Sequence, residues 1–130
     1  MDYAAVVGIS ASLLGLVFMG LSYRVVNLRR TEKIGIGSGG NETMRLAVRA
    51  HANFTEYVPI TLILLFLLMR SANDAKAAAV LAVLLVIARS LHAYGLSGSA
   101  GYSIGRFWGT LITWTVLLVT SLLNLYYLIF

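Results

Sequence analysis

The chain has 130 residues, of which 59% are hydrophobic and only 12% are charged. An ordinary soluble domain carries about twice that share of charged residues, so the composition indicates an integral membrane protein. The chain contains no cysteine, which excludes a disulfide framework and a thiol nucleophile of its own. The net charge is +5, but no run of basic residues is long, and membrane orientation explains the positions of the cations. We therefore expect no nucleic-acid partner.

Four apolar stretches are each long enough to cross a bilayer. A helix needs about 20 residues for one crossing, so a chain of this length holds at most about five spans with their links. The predicted spans are residues 3–28, 43–69, 75–94 and 103–130. Between them, RSANDAK at residues 70–76 is predicted to form a short polar turn and the glycine-rich GLSGSAG at residues 95–101 a flexible link. Because the links between them are short, we predict a single domain over residues 1–130, all-α, folded as an integral membrane four-helix bundle with up-down-up-down topology.

The basic residues predict an orientation in the membrane. The third link is flanked by Arg89 and Arg106, whereas the second carries Arg70 and Lys76 offset by Asp74. The two termini have no lysine or arginine. The first link and its flanks carry the largest group of cations, namely Arg24, Arg29, Arg30, Lys33, Arg45 and Arg49. The positive-inside rule therefore places the first and third links in the cytoplasm and both termini outside.

A polar stretch, MRLAVRAHANFTEYVP, covers residues 44–59 at the mouth of the second apolar run. Each residue of an α-helix advances by about 100°, which places Arg49, Asn53 and Glu56 on one face. His51 points elsewhere, towards a neighbouring helix or subunit. An ionisable residue at membrane depth costs roughly 2.5–3.5 kcal/mol, so these residues predict a functional site.

Polar residues of two further spans belong to the same predicted end of the bundle. Arg89 and His92 are three residues apart, so they share a helix face, and Arg106 lies near the start of the fourth span. The surplus of positive charge around Glu56 predicts a site for a small anion. If this anion also carries an amine, Glu56 could accept a hydrogen bond from it. The alternative is a buried ion pair between Glu56 and Arg49 or Arg89 that only holds the bundle together.

Two motifs carry a family resemblance. RAHANFTEYVP at residues 49–59 and ARSLHAYG at residues 88–95 resemble the MAPEG superfamily, which includes microsomal glutathione transferases, leukotriene C synthase and microsomal prostaglandin E synthase. The IGIGSGGN link at residues 34–41 is similar to that of the small bacterial branch, and the resemblance covers nearly the whole chain. It implies a homotrimer of the inner membrane that binds glutathione between adjacent subunits near the cytosolic face.

The resemblance also implies roles for single residues. Arg49, Asn53 and Glu56 match positions that hold the carboxylates and the amino group of glutathione. Tyr57 matches a tyrosine that contacts glutathione, and His51 matches a position that approaches it from the neighbouring subunit.

The resemblance implies roles for four further positions outside the second-helix motif. His92 corresponds to an aromatic or histidine position in the glutathione pocket, and Arg29 or Arg30 to an arginine at the end of the first helix. Leu96 stands where eukaryotic members often have a tyrosine. Arg106 is the candidate catalytic residue, because the resemblance implies an arginine that stabilises the glutathione thiolate.

The sequence thus favours a glutathione transferase or peroxidase that acts on a hydrophobic electrophile or a lipid hydroperoxide arriving from the membrane lipids. In such an enzyme, the pKa of the ligand thiol must fall from about 8.5 towards neutrality. The alternative is a non-catalytic protein that binds an anionic metabolite or a lipid headgroup. A transporter is disfavoured because the polar residues cluster at one end of the spans. We expect no metal, since two histidines on different helices with one glutamate make a poor ligand set.

Overall fold

The computed structural model describes residues 2–70, 75–98 and 101–130. Within them lie four helices, α1 (Tyr3–Glu32), α2 (Glu42–Arg70), α3 (Ala75–Gly98) and α4 (Ile104–Ile129). Each contains a stretch long and apolar enough to cross a membrane. The protein is therefore an all-α four-helix membrane bundle, which confirms the predicted fold class.

Two helices extend beyond the predicted spans. α1 continues to Glu32 and ends at Lys33, whose backbone is left-handed (φ 54°) and whose N–H donates to the Arg29 carbonyl. α3 continues through Gly98, so Gly95 is helical although the sequence suggested a flexible link there. The predicted turn at residues 70–76 includes residues 71–74, which lie outside the described residues, as do residues 99 and 100 of the third link.

α2 and α3 form the centre of the bundle. Each of them contacts the other three helices, whereas α1 and α4 make no contact with each other in the described part of the chain. Ala78, Ala82 and Ala88 on α3 are fully buried, and such small side chains let neighbouring membrane helices approach closely. Polar residues on α3 are consequently enclosed on more than one side.

Glycines bring α3 and α4 into backbone contact. A Cβ atom added to Gly109 would lie 2.7 Å from the Ala88 carbonyl oxygen and 2.7 Å from His92 Cβ. At Gly95, an added Cβ would lie 2.7 Å from the backbone nitrogen of Arg106. These contacts fix the position of His92 relative to the start of α4.

The link between α1 and α2 is closed by side-chain hydrogen bonds. The Asn41 side chain caps α2 by accepting from the Met44 backbone N–H at 3.0 Å, and its amide nitrogen donates to Glu32 at 3.2 Å. Gly37 and Gly40 have positive φ angles of 66° and 78°, which glycine adopts without steric cost. The glycine-rich segment therefore forms a compact turn between the two helices.

Towards the other end of the bundle, Asn124 joins α4 to α2. Its buried side-chain amide donates to the Leu64 carbonyl at 2.9 Å and to the Thr120 carbonyl at 2.9 Å. Thr113 and Thr120, also buried, donate their hydroxyl protons to carbonyls one turn earlier in α4. These hydrogen bonds satisfy polar groups that have no water to bind in the hydrocarbon core.

Candidate functional site

The polar residues of α2 point in three directions. Asn53 lies on the side that faces α3, and His51 lies on the side that faces α1. Arg49 and Glu56 point away from the other helices, with 57% and 50% of their side-chain surfaces exposed. The sequence placed Arg49, Asn53 and Glu56 on one face and His51 on another. In the structure His51 does lie apart from them, but Asn53 faces α3 while Arg49 and Glu56 point outwards.

A buried guanidinium lies between α2 and α3. Arg89 is only 1% exposed, and its Nη2 donates to Asn53 Oδ1 at 2.8 Å. The same nitrogen lies 3.5 Å from His92 Nδ1. Arg89 Cζ also lies 5.5 Å from the centroid of the Phe54 ring and 5.9 Å from that of Tyr57, within the range of cation–π attraction. We call Arg89, Asn53 and His92 the buried cluster.

The positive charge of the buried cluster is not balanced within the described residues. In this part of the chain, Arg45 pairs with Glu42 and Arg49 pairs with Glu56, and neither ion pair includes Arg89. Arg89 Nε is buried and has no hydrogen-bond partner in the same part of the chain. Because a buried charge without a partner costs several kcal/mol, this region is suited to an anionic group.

Arg49 and Glu56 form a loose ion pair on the outer face of α2. Arg49 Nη1 lies 3.9 Å from Glu56 Oε1, well beyond the roughly 2.7–2.9 Å of a charge-assisted hydrogen bond. Glu56 is the fifteenth of the 29 residues of α2, so the charge lies near the middle of a helix that crosses the membrane. Both groups can therefore exchange this contact for a stronger one with a ligand or another subunit.

His51 packs against α1 of its own chain. Its Nε2 lies 3.2 Å from Ser22 Oγ, and its ring centroid lies 5.0 Å from that of Phe18. The Ser22 hydroxyl also lies 2.9 Å from the Phe18 carbonyl oxygen, so it links His51 to the backbone of α1. The resemblance implied a role at the neighbouring subunit, and in the single chain the ring instead helps to join α1 to α2.

Arg29 and Arg30 differ in their surroundings. Arg29 Nη1 donates to the carbonyls of Ile34 and Gly35 at 3.2 and 3.1 Å, and to that of Gly37 at 3.3 Å. Arg29 therefore holds the turn between α1 and α2. Arg30 is exposed at the end of α1, so it is the more accessible of the two to a ligand.

Arg106 borders a cavity on the outer side of α4. The cavity has a volume of about 350 Å³, and Arg106 Nη1 donates to the Gly101 carbonyl at 2.8 Å. The lining residues all belong to α4 or to the two residues before it, and they are Tyr102, Ser103, Arg106, Phe107, Thr110, Leu111 and Trp114. Arg106 thus does not share this cavity with the buried cluster in a single chain.

Four residues near the site were not singled out from the sequence. The spacing of Gly105 and Gly109, with three residues between them, is a known signal for close helix packing and could have indicated the contact with His92. Phe54 and Ser22 carried no comparable signal, because an apolar ring and a small hydroxyl residue are common on any membrane helix.

Metal-binding geometry is not found in the part of the chain that the structure describes, where no three His, Cys, Asp or Glu side chains come together. The arrangement instead offers arginine and amide donors beside one carboxylate. Such donors form charge-assisted hydrogen bonds with a carboxylate ligand, while Glu56 can accept from an amine.

Comparisons with known proteins give matches that extend over nearly the whole chain. The sequence matches the MAPEG family over residues 7–126. It is 30% identical over 120 residues to a protein named inner membrane protein YecN from Escherichia coli strain K12, covering 91% of this chain and 88% of the relative. The protein of the same name from Escherichia coli O6:H1 has the same identity and coverage.

Proposed function

Because the chain belongs to the MAPEG family, we propose that it is a glutathione-binding protein of the inner membrane that acts as a glutathione transferase or peroxidase. The observation that carries this proposal is the buried Arg89, which lacks a carboxylate partner in the described residues. Arg89 donates a hydrogen bond to Asn53. Because Asn53 lies between Arg49 and Glu56 on α2, the buried charge is close to these two outward-facing side chains. The inner-membrane location is supported by the name of the relatives.

Glutathione has two carboxylates, one ammonium group and one thiol, and the candidate residues complement each charged group. Arg49 and Asn53 donate to carboxylate oxygens, with Arg89 behind Asn53. Glu56 accepts from the ammonium group and exchanges its loose pair with Arg49 for that contact. Further contacts are proposed from Tyr57, His92, His51, Arg29 and Arg30.

Arg106 is proposed to stabilise the thiolate, which then attacks a hydrophobic electrophile or reduces a lipid hydroperoxide. Its cavity is lined by aromatic side chains of α4, including Phe107 and Trp114, and an apolar substrate can enter from the lipid. Because the buried cluster does not line this cavity, a complete site needs a second chain. We therefore include a homotrimer in the proposal, with the site between subunits at the cytoplasmic end.

Calorimetry of the purified protein with glutathione and with S-hexylglutathione tests the binding step. We expect both to bind, and we expect Arg49→Gln to weaken binding by about tenfold or more, since a charge-assisted hydrogen bond contributes about 1.5–3 kcal/mol. Arg45→Gln is the matched control, because Arg45 is exposed and pairs with Glu42. Failure of the folded wild-type protein to bind either compound would exclude the proposal.

The catalytic step is tested in the same samples with Arg106→Gln. Turnover with a hydrophobic electrophile should fall at least tenfold, whereas the dissociation constant for glutathione should change much less, because Arg106 is proposed to act on the thiolate and not on the carboxylates. Equal losses of turnover and binding would remove the catalytic role of Arg106.

A second candidate function is a non-catalytic protein that binds an anionic metabolite or lipid headgroup. It is favoured by the lining of the Arg106 cavity, which includes no residue of the buried cluster. Such a protein would be stabilised by the anion and would show no turnover with any electrophile.

A further inference from the structure

The hydrogen bond from Arg89 determines which atom of Asn53 remains for a ligand. A guanidinium group has five N–H donors and no acceptor. Arg89 Nη2 can therefore bond only to the oxygen of the Asn53 amide, as the 2.8 Å contact with Oδ1 requires. The other half of the amide, the NH₂ group, is left to bind elsewhere, and it can only donate.

The same reasoning applies to His92. Its Nδ1 faces Arg89 Nη2 at 3.5 Å, so a proton on Nδ1 would point one donor at another. The ring is accommodated when Nδ1 keeps its lone pair and the proton is on Nε2. The close contact of Gly109 on α4 with the backbone nitrogen and Cβ of His92 fixes the point from which the ring extends towards Arg89.

We propose that Arg89 is a positioning residue that makes the buried cluster a set of hydrogen-bond donors, leaving Asn53 Nδ2–H and His92 Nε2–H for an acceptor-only group. Together with the positive charge and the unpartnered Nε–H of Arg89, these donors favour a carboxylate, which has two anionic acceptor oxygens, over its neutral ester or over its amide, which also carries N–H donors. The choice of glutathione as the carboxylate ligand rests on the proposed function, whereas the orientation of the two side chains does not.

Nitrogen-15 NMR of histidine-labelled protein in lipid nanodiscs tests the orientation without any ligand. The chain has only two histidines, and His51→Gln assigns the signals of His92. We expect His92 to be the Nε2–H tautomer in the wild-type protein, and a mixture of both neutral tautomers in Arg89→Met. Arg45→Met, which removes an exposed arginine paired with Glu42, should leave the His92 signals unchanged.

Two results would overturn the positioning role. One is a wild-type His92 with its proton on Nδ1, or on both nitrogens, at neutral pH. The other is a folded Arg89→Met variant in which the pure Nε2–H tautomer persists. The first measurement needs no variant, so it decides the matter even where Arg89→Met does not fold.

Selectivity is tested by comparing the binding of glutathione with that of its glycine monoethyl ester. The wild-type protein should prefer the free carboxylate by at least tenfold. In Arg89→Lys, which keeps the charge but loses the fixed fork of donors, this preference should fall several-fold, and an undiminished preference would contradict the proposal. If neither compound binds, the proposed function fails, while the tautomer measurement still tests the role of Arg89.

Discussion

Asn53 allows the structural and the ligand-binding roles of the buried charge to be separated by one substitution. In Asn53→Asp a carboxylate replaces the amide that lies 2.8 Å from Arg89. We expect the free energy of unfolding to be unchanged or higher, because the aspartate supplies the carboxylate partner that Arg89 lacks in the described residues. We expect the binding of glutathione to fall by tenfold or more, because the new charge repels the ligand carboxylate and the NH₂ donor is lost.

Thermal unfolding in detergent and calorimetry measure these two effects on the same sample. The matched control is Asn27→Asp on the exposed surface of α1, which should change neither. A variant that loses stability and binding together would show that Asn53 is mainly a structural residue, and a variant that keeps full binding would remove Asn53 from the site.

Single side chains were predictable from the sequence where helix geometry alone decides their direction. The regular advance per residue was sufficient to separate His51 from Asn53, since both directions depend only on α2. The hydrogen bonds from Arg29 to the carbonyls of the following turn could not be predicted, because they depend on the path of a glycine-rich backbone. The sequence did not distinguish Arg29 from Arg30 as the candidate ligand-binding arginine. In the structure Arg29 binds the carbonyls of the turn, whereas Arg30 is exposed.

At the scale of helices, the contact between α3 and α4 depends on the absence of a side chain at Gly109. In Gly109→Ala, the added methyl group would lie 2.7 Å from the Ala88 carbonyl oxygen and from His92 Cβ. Both are fixed parts of α3, so the helices must separate. We expect a loss of about 1–3 kcal/mol in the free energy of unfolding, the usual cost of overpacking.

Gly20→Ala is the matched substitution, because an added Cβ there has no atom within 4 Å. It should leave stability unchanged or raise it by up to about 1 kcal/mol, since alanine is the better helix former. Unfolding by titration with sodium dodecyl sulfate compares the two variants. If Gly109→Ala is as stable as Gly20→Ala, the backbone contact between α3 and α4 does not contribute to the fold.

The same contact explains why the end of α3 could not be placed from sequence. Glycines in GLSGSAG suggested a flexible link, because glycine is common in turns. In the structure Gly95 is buried inside α3 and faces the backbone of Arg106, so this glycine serves packing. A local pattern does not distinguish these two uses, since the difference lies in a helix that follows later in the chain. The four spans themselves were predictable, because apolar length depends on the bilayer and not on the contacts between helices.

At the scale of the whole molecule, the outer faces of the helices differ in a way that bears on assembly. The outer face of α3 presents apolar side chains such as Val80, Val83 and Ile87, which suit contact with lipid. The outer face of α2 presents Arg49 and Glu56, and Glu56 lies at the middle of the helix, where contact with lipid is costly. Covering this face with α2 of other subunits would shield the charges and is consistent with the proposed trimer.

The absence of native cysteine makes this arrangement testable with single introduced cysteines. Ile63 lies two helical turns after Glu56 on the same outer face of α2 and is 56% exposed. We expect Ile63→Cys to form disulfide-linked dimers on mild oxidation in membranes, because the proposed trimer brings the α2 helices of neighbouring subunits together there. Val83→Cys on α3, which is 43% exposed, should remain unlinked, and native mass spectrometry of the wild-type protein should give three subunits. Cross-linking through residue 83 but not 63 would place α3 at the interface, and a monomeric wild-type protein would require the whole site to form within one chain.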